Sequence, residues 1–249
     1  MNLINHTVFI TGGSSGIGLA LAKNFAALGN KVIICGRNAQ KLQAVLDQNE
    51  RFVGIVADIT APKAIYYILN ILAKNNWYPS IIVNNAGCGA SIDILSGNAD
   101  HFMVQASNQI QTNIQAPMNL VVAFLPILKI HPNAAIINIT SGLAISPKKS
   151  SPIYCATKAA LRAFTKSLRY QIEDAKLNIR VMEVLPPVVD TPMTSSNSSH
   201  SKITSEEVAQ DVINGLLQNK KEVYVGKVWL LKMVHSISPS LADMIMRNW

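Results

Sequence analysis

The strongest constraint on this chain lies near its start. A short apolar run, Thr7–Ile10, breaks into Thr11-Gly12-Gly13-Ser14-Ser15-Gly16-Ile17-Gly18, and helical periodicity then runs from Gly16 to Leu28 and stops at Gly29. Strand, glycine-rich turn and helix in that order bring free backbone N–H groups and a helix N-terminus to one point, which suits a phosphate. Gly12 permits the turn, Gly16 lets the backbone approach a pyrophosphate, and Gly18 allows the helix to pack on the strand. An ordinary βα loop can be as rich in glycine. Placement after a strand and at the head of a helix favours dinucleotide binding, with Ser14, Ser15 and Ile17 beside the phosphates.

The rest of the chain continues the alternation. Strands are expected at Lys31–Cys35, Phe52–Ala57, Ser80–Val83, Ala134–Ile139 and Asn178–Leu185, and helices at Ala39–Gln48, Ala61–Asn75, roughly Asp100–Ile130 and from Tyr154 to about Ala175. Strands alternating with helices of this length imply a parallel sheet wound on both faces, and right-handed crossovers leave the open twisted sheet with a central switch point as the leading topology. Hydrophobic residues make up 49% of the chain and charged residues 14%. No uninterrupted apolar run is long enough to cross a bilayer, so the apolar content is assigned to a sheet covered on both sides. A chain of 249 residues could form one large domain or two small ones. With no internal repeat and no linker, the expectation is α/β: one Rossmann-type doubly wound domain over 1–249, with about seven strands.

Past the sixth strand the texture changes. Thr194–Ser201 is polar and turn-rich, so 192–204 is expected to be a mobile substrate loop. Thr204-Ser205-Glu206-Glu207 has capping-box spacing and should open a helix to about Gln218, and Glu222–Val225 fits a last strand. The tail, 227–249, is apolar and basic and is interrupted at Ser238-Pro239. It reads as two short helices covering the domain or a subunit contact, with peripheral membrane contact as the sharper alternative.

The N-terminus has neither the basic start nor the apolar core of a signal peptide, and Cys35, Cys88 and Cys155 are an odd count without metal-ligand spacing. Reduced thiols, a cytoplasmic location and no metal are expected. The net charge of +8 admits an anionic cofactor, nucleic acid or a membrane surface. Its basic residues are mostly scattered, with Lys148-Lys149 and Lys220-Lys221 the only adjacent pairs, and no basic stripe carries interleaved aromatics. Nucleic acid is therefore not an expected partner.

The chemistry-bearing residues lie in the middle of the chain. Tyr154 and Lys158 in Tyr154-Cys155-Ala156-Thr157-Lys158 share a helix face one turn apart. A phenol beside a fixed ammonium should have its pKa lowered towards neutrality and trade protons with a hydroxyl or carbonyl. A half-buried Tyr beside a solvated Lys would show the same spacing. After the second strand, where a carboxylate would hold a ribose 2′-hydroxyl, stand Gly36 and Arg37. Arginine matches a 2′-phosphate with forked hydrogen bonds, which favours NADP(H) over NAD(H); a plain surface Arg is the alternative. Asp58, with Ile59 after it, would contact the adenine amino group or cap the next helix. Cys155 invites a redox role but is better read as a small buried side chain.

Thr11–Gly18, Asn84-Asn85-Ala86-Gly87, Asn113, Ser141, Tyr154 and Lys158 together resemble the short-chain dehydrogenase/reductase superfamily, in order and spacing from about Asn5 to Thr191. The resemblance implies a Rossmann-type domain, commonly a homodimer or homotetramer. It makes Tyr154 the acid/base, Ser141 the hydrogen-bond partner of the substrate oxygen and Asn113 the support of a water relay. Lys158 would hold the nicotinamide ribose. Asn85, Ala86 and Gly87 would line the cofactor, joined by Pro186, Val189 and Thr191. Pro187 stands where the family usually has glycine, and should stiffen the nicotinamide-side loop. Ser141-Gly142-Leu143-Ala144 and Pro186-Pro187 are similar to a bacterial subgroup, the oxidoreductases found with the D-alanine esterification operon, although the tail after Thr191 does not obviously follow it.

The function so implied is an NADP(H)-dependent oxidoreductase acting on a small carbonyl or alcohol. The alternative is a cofactor-binding scaffold or redox sensor of the same fold without turnover. Cys88, Gly89, Leu143, Ile145, Ile153, Val188 and Met193 are the expected, largely apolar pocket wall, which suggests an apolar substrate.

Overall fold

The computed structural model describes residues 1–195 and 202–248. Seven parallel strands form one sheet: β1 (Thr7–Thr11), β2 (Lys31–Gly36), β3 (Phe52–Val56), β4 (Ile81–Asn84), β5 (Ala134–Ile139), β6 (Ile179–Leu185) and β7 (Glu222–Tyr224). Their order is β3-β2-β1-β4-β5-β6-β7. The chain winds outward from β1 to β3, crosses back and continues from β4, so the switch point lies between β1 and β4. A crevice opens there at the carboxyl ends of the strands.

Helices α1 (Gly16–Ala27), α2 (Ala39–Leu46), α3 (Ala64–Lys74), α4 (Ala99–Ile110), α5 (Ala116–Lys129), α6 (Pro152–Asp174) and α7 (Ser205–Leu217) cover the sheet, and α8 (Val228–Ile237) and α9 (Pro239–Met246) close the chain. Strand residues alternate between two cores as the pleat requires. Val8, Ile10, Val32 and Ile34 pack with Leu21 and Phe25 of α1 and Val212 of α7. Phe9 and Ile33 point the other way, with Ile68 of α3, Phe124 of α5 and Leu168 of α6. Because both faces are buried, the strands read as unbroken apolar runs rather than alternating ones.

Three details differ from expectation. The long helix expected near Asp100–Ile130 is α4 and α5 joined by a π-helical turn, Gln111–Gln115. Helix α3 begins at Ala64, not Ala61, because Asp58 accepts from the Thr60 N–H (3.0 Å) and hydroxyl (2.7 Å) and holds a turn there. The mobile loop expected over 192–204 opens with a single 3₁₀ turn, Pro192–Thr194, and Ile203 bridges to Val189; its middle, 196–201, lies outside the described residues. The capping box is present: the Thr204 N–H donates to Glu207 Oε2 (2.7 Å) and the Glu207 N–H to Thr204 Oγ1 (3.1 Å). The tail forms the two short helices expected, with Ser238 between them. Among the described residues no helix is long and apolar enough to cross a membrane.

Candidate active site

The glycine-rich turn is shaped by contacts that only small residues permit. Gly12 (φ 66°) and Gly16 (φ 51°) are left-handed. A Cβ on Gly18 would stand 2.4 Å from the Gly12 carbonyl oxygen and 2.5 Å from Asn85 Nδ2. Thr11 and Asn85 stitch the turn to the end of β4. The backbone N–H groups of Asn85 and Ala86 both donate to Thr11 Oγ1 (3.1 Å each), and Asn85 Nδ2 donates to the Thr11 carbonyl (2.9 Å). Gly12, Ser14, Ser15, Gly16 and Ile17 line a groove of about 460 Å³, while Thr11 and Gly18 are absent from its wall. Those two hold the groove's shape from behind, Gly18 by the close helix packing expected of it.

The groove runs from Gly36, Arg37, Asp58 and Ile59 past Asn85, Ala86 and Gly87 to Ser141, Tyr154, Lys158, Pro186, Val189 and Thr191. The residues fit a dinucleotide: glycine-shaped backbone and the first turn of α1 sit at its middle, a guanidinium at one end and hydroxyl donors at the other. Gly87 shows how tight the far end is. A Cβ there would come within 3.3 Å of Asn113 Oδ1 and 3.5 Å of Lys158 Nζ. Asp58 is exposed; the Thr60 backbone and side-chain hydrogen bonds hold its carboxyl below the usual range, and nearby Arg37 adds to this.

The reacting end is assembled from three elements. Ser141 follows β5, and its hydroxyl oxygen accepts from the Leu143 N–H (3.1 Å), which leaves its proton free for another acceptor. The π-helical turn presents Asn113, fully buried, whose Oδ1 accepts from the Cys88 N–H (2.9 Å). Its Nδ2 donates to the Cys88 carbonyl (2.8 Å) and to Thr157 Oγ1 (3.0 Å). Thr157, not singled out by the sequence reading, thus ties Asn113 to α6. Helix α6 carries Tyr154 and Lys158 on one face, and Lys158 Nζ donates to the Ile139 carbonyl (2.9 Å) at the end of β5.

The electrostatics overturn one expectation. Burial pushes the Tyr154 hydroxyl up to about 12, while adjacent Ser141 favours the phenolate less strongly. Lys158 lies 5.6 Å from the Tyr154 ring centroid and is itself held down to about 8 by burial. The shift is opposite to the one expected, and Lys158 is not among the groups that move it: burial favours the neutral phenol. Cys155 is buried, its Sγ directed at the Lys148 carbonyl (3.8 Å), and burial pushes its thiol up, which suits packing rather than redox chemistry.

A second cavity, of about 550 Å³, meets the groove at Ser141, Tyr154, Pro186, Pro187, Met193 and Thr194. Of the expected wall, Gly89, Leu143, Val188 and Met193 line it. Cys88 faces the groove instead, Ile145 borders a separate outer hollow, and Ile153 is buried in the packing beneath. Most of the remaining apolar wall comes from the tail: Val228, Leu230, Leu231, Val234, Ile245 and Met246. Sequence reasoning treated this tail as a cover. Its helical repeat of apolar residues was the available signal, but nothing local says which surface such a face meets.

With this geometry in view, comparison with known proteins is decisive. Residues 6–202 match the short chain dehydrogenase family. The chain is a short-chain dehydrogenase. It is therefore an NAD(P)-dependent oxidoreductase. This short-chain dehydrogenase is 39% identical over 237 residues to the uncharacterized oxidoreductase DltE of Bacillus subtilis (strain 168), covering 90% of this chain and 89% of the relative. A match of that extent continues past Thr191, so the tail follows the subgroup further than expected. A short chain dehydrogenase from Burkholderia cenocepacia in complex with NADP superposes with a TM-score of 0.86 at 25% identity, over 99% of each chain. One from Burkholderia phymatum in complex with NAD shares the fold, with a TM-score of 0.87 at 18% identity, over 100% of this chain and 97% of that one.

Proposed function

We propose that this short-chain dehydrogenase is an NADP(H)-dependent carbonyl reductase or alcohol dehydrogenase with Tyr154 as its proton donor and acceptor. The observation that carries the reading is the meeting of the two cavities at Ser141 and Tyr154, which with Thr194 are the hydroxyl residues on both walls among the described residues. When bound, the dinucleotide supplies two electrons and one hydrogen as hydride to the carbonyl carbon. Ser141 donates a hydrogen bond to the carbonyl oxygen and holds the C=O bond polarised. As that bond opens, the Tyr154 proton passes to the oxygen, giving the alcohol; the reverse sequence oxidises it. Lys158, its amine bonded to the Ile139 carbonyl, would hold the ribose, and Asn113 fixes the backbone at Cys88.

Arg37 supports NADP(H) over NAD(H): it is exposed at the adenosine end, follows Gly36 rather than a carboxylate, and has no ion pair among the described residues. The apolar cavity supports an apolar carbonyl or alcohol. Exposed apolar side chains on α4 and α5, Met103, Val104, Met118 and Val122, support a homodimer or homotetramer. The free thiols of Cys35, Cys88 and Cys155 fit a cytoplasmic setting.

Fluorescence titration with NADPH and NADH, followed by a carbonyl panel with wild type and Tyr154→Phe, tests the reading. The variant should bind NADPH as wild type does and lose roughly 10²- to 10⁴-fold in kcat. Undiminished turnover in Tyr154→Phe refutes it.

A further inference from the structure

We propose that the cavity under α8 and α9 is a subsite for an amphiphile: a medium-chain aliphatic carbonyl compound whose apolar arm lies against the tail helices and whose anionic end is held by Lys148. The proposal rests on Ser141 and Tyr154 being the point of reaction, and it adds what the substrate carries beyond its carbonyl.

Size comes first. At the ~30 Å³ that one molecule of liquid water takes up, about 550 Å³ holds on the order of fifteen to twenty non-hydrogen atoms, far more than a bare ketone needs. The wall decides what those atoms are. Leu231, Val234, Ile245 and Met246 face Leu143 and Val188 across the space, so its body accepts hydrocarbon.

Charge gives the other end. Among the described residues no carboxylate lines the cavity, and the charged side chains on its wall are Lys148 and Lys227. Lys227 is exposed, where solvent screens it. Lys148 is half-buried, and among the described residues it has no ion pair and its amine makes no hydrogen bond. With its stem partly buried in an apolar wall and its amine unpaired, Lys148 can offer an anion a charge-assisted hydrogen bond.

The loop bearing Lys148 is also built into the tail. Ser146 Oγ donates to Asp243 Oδ1 (2.7 Å), which engages that acid of α9, and the Lys149 N–H donates to the Arg247 carbonyl (3.1 Å). On the other side the Lys148 carbonyl accepts from the Ser151 N–H (3.5 Å) and from Cys155 Sγ (3.8 Å), close to Tyr154 on α6. Apolar wall, cation and proton donor are thereby parts of one tied assembly.

Two measurements test the proposal. With NADP⁺ saturating, calorimetry reads the binding of unreactive fatty carboxylates of about six to about twelve carbons, lengths that fit the cavity, and of their methyl esters. With NADPH, kcat/KM is read for the matching oxo acids and oxo esters. Affinity and kcat/KM should both rise, by up to about fourfold per added methylene, until the cavity is full. Acids should outperform esters, with the gap narrowing as salt is raised. The acid-to-ester ratio should fall about tenfold in Lys148→Gln and less than about twofold in Lys227→Gln. Independence of chain length, or an acid-to-ester ratio near one in wild type, overturns the proposal. Chain-length-dependent binding without turnover of any oxo acid supports the amphiphile subsite and refutes the carbonyl-reductase reading on which it rests.

Discussion

Lys158 should be a residue that the fold would be more stable without. Lys158 is 4% exposed, and its one hydrogen bond among the described residues, to the Ile139 carbonyl, provides no opposing charge. Burial holds its pKa at about 8, against an ordinary 10.5. At ~1.4 kcal/mol per tenfold change, the charged form is destabilised in the folded chain by about 3 kcal/mol. The sign follows from linkage. Below pH 8 the amine is charged folded and unfolded, and the whole penalty is present; between 8 and 10.5 the folded state sheds the proton first and stability recovers; above 10.5 the penalty is gone. Lys158→Met keeps the length of the side chain, removes the charge and gives up one hydrogen bond worth about 1 kcal/mol. The variant should therefore be about 2 kcal/mol more stable than wild type at pH 7 without cofactor, and inactive. Urea denaturation of both proteins from pH 6.5 to 10.5 gives the difference directly. It cancels the contributions of Tyr154 and Cys35, whose raised pKa values make stability fall at alkaline pH in both proteins. A Lys158→Met protein less stable at pH 7, or a difference that stays flat across this range, would refute the electrostatic argument.

The other expectations are briefer. Arg37→Ala should reduce the preference for NADPH over NADH about tenfold in a fluorescence titration, since the forked contact to a 2′-phosphate is lost while the glycine turn remains. Gly18→Ala should lower the melting temperature and weaken both nucleotides together, because its Cβ meets the Gly12 carbonyl at 2.4 Å; retention of wild-type affinity would show that the turn can relax. With the Tyr154 hydroxyl raised, alcohol oxidation at saturating cofactor should speed up between pH 7 and 9, whereas carbonyl reduction should not. A pH-independent oxidation rate would mean that the phenol is not the proton acceptor.

The fold was legible where burial on both faces and turn chemistry point the same way. Strand β5 runs Ala134–Ile139, as read, because its six residues are buried without exception. The Thr204–Glu207 box marked the start of α7 because both partners of the cap lie within four residues of sequence. Where the reading slipped, the competing interaction was hidden. Asp58 spends its carboxylate on Thr60 and delays α3. Between α4 and α5 the helical periodicity continues through the π turn that brings Asn113 inward, and apolar spacing does not distinguish an i→i+5 bond from an i→i+4 bond.

The site divides along the same line, and the division explains why its chemistry was easier to read than its substrate. The cofactor half is local: glycines within one turn, an arginine after one strand, a tyrosine and lysine within one helical turn. Local spacing placed Tyr154 and Lys158 on one face, yet it carried no information on how deeply they sit. Gly89, whose Cβ would press within 2.8 Å of Tyr154 Cδ2, closes over the ring from a distant loop, and that burial reverses the expected shift of the phenol. The adjoining cavity is largely non-local, since Val228, Leu231, Val234 and Met246 join its wall only through tertiary packing of the last two helices. Burial by remote residues shifts the phenol up and the ammonium down, so under the proposed mechanism the protons available at Tyr154 and Lys158 depend on what covers them. Changes to the tail should accordingly alter the pH dependence of catalysis as well as the choice of substrate, coupling two properties that the sequence motifs treat as separate.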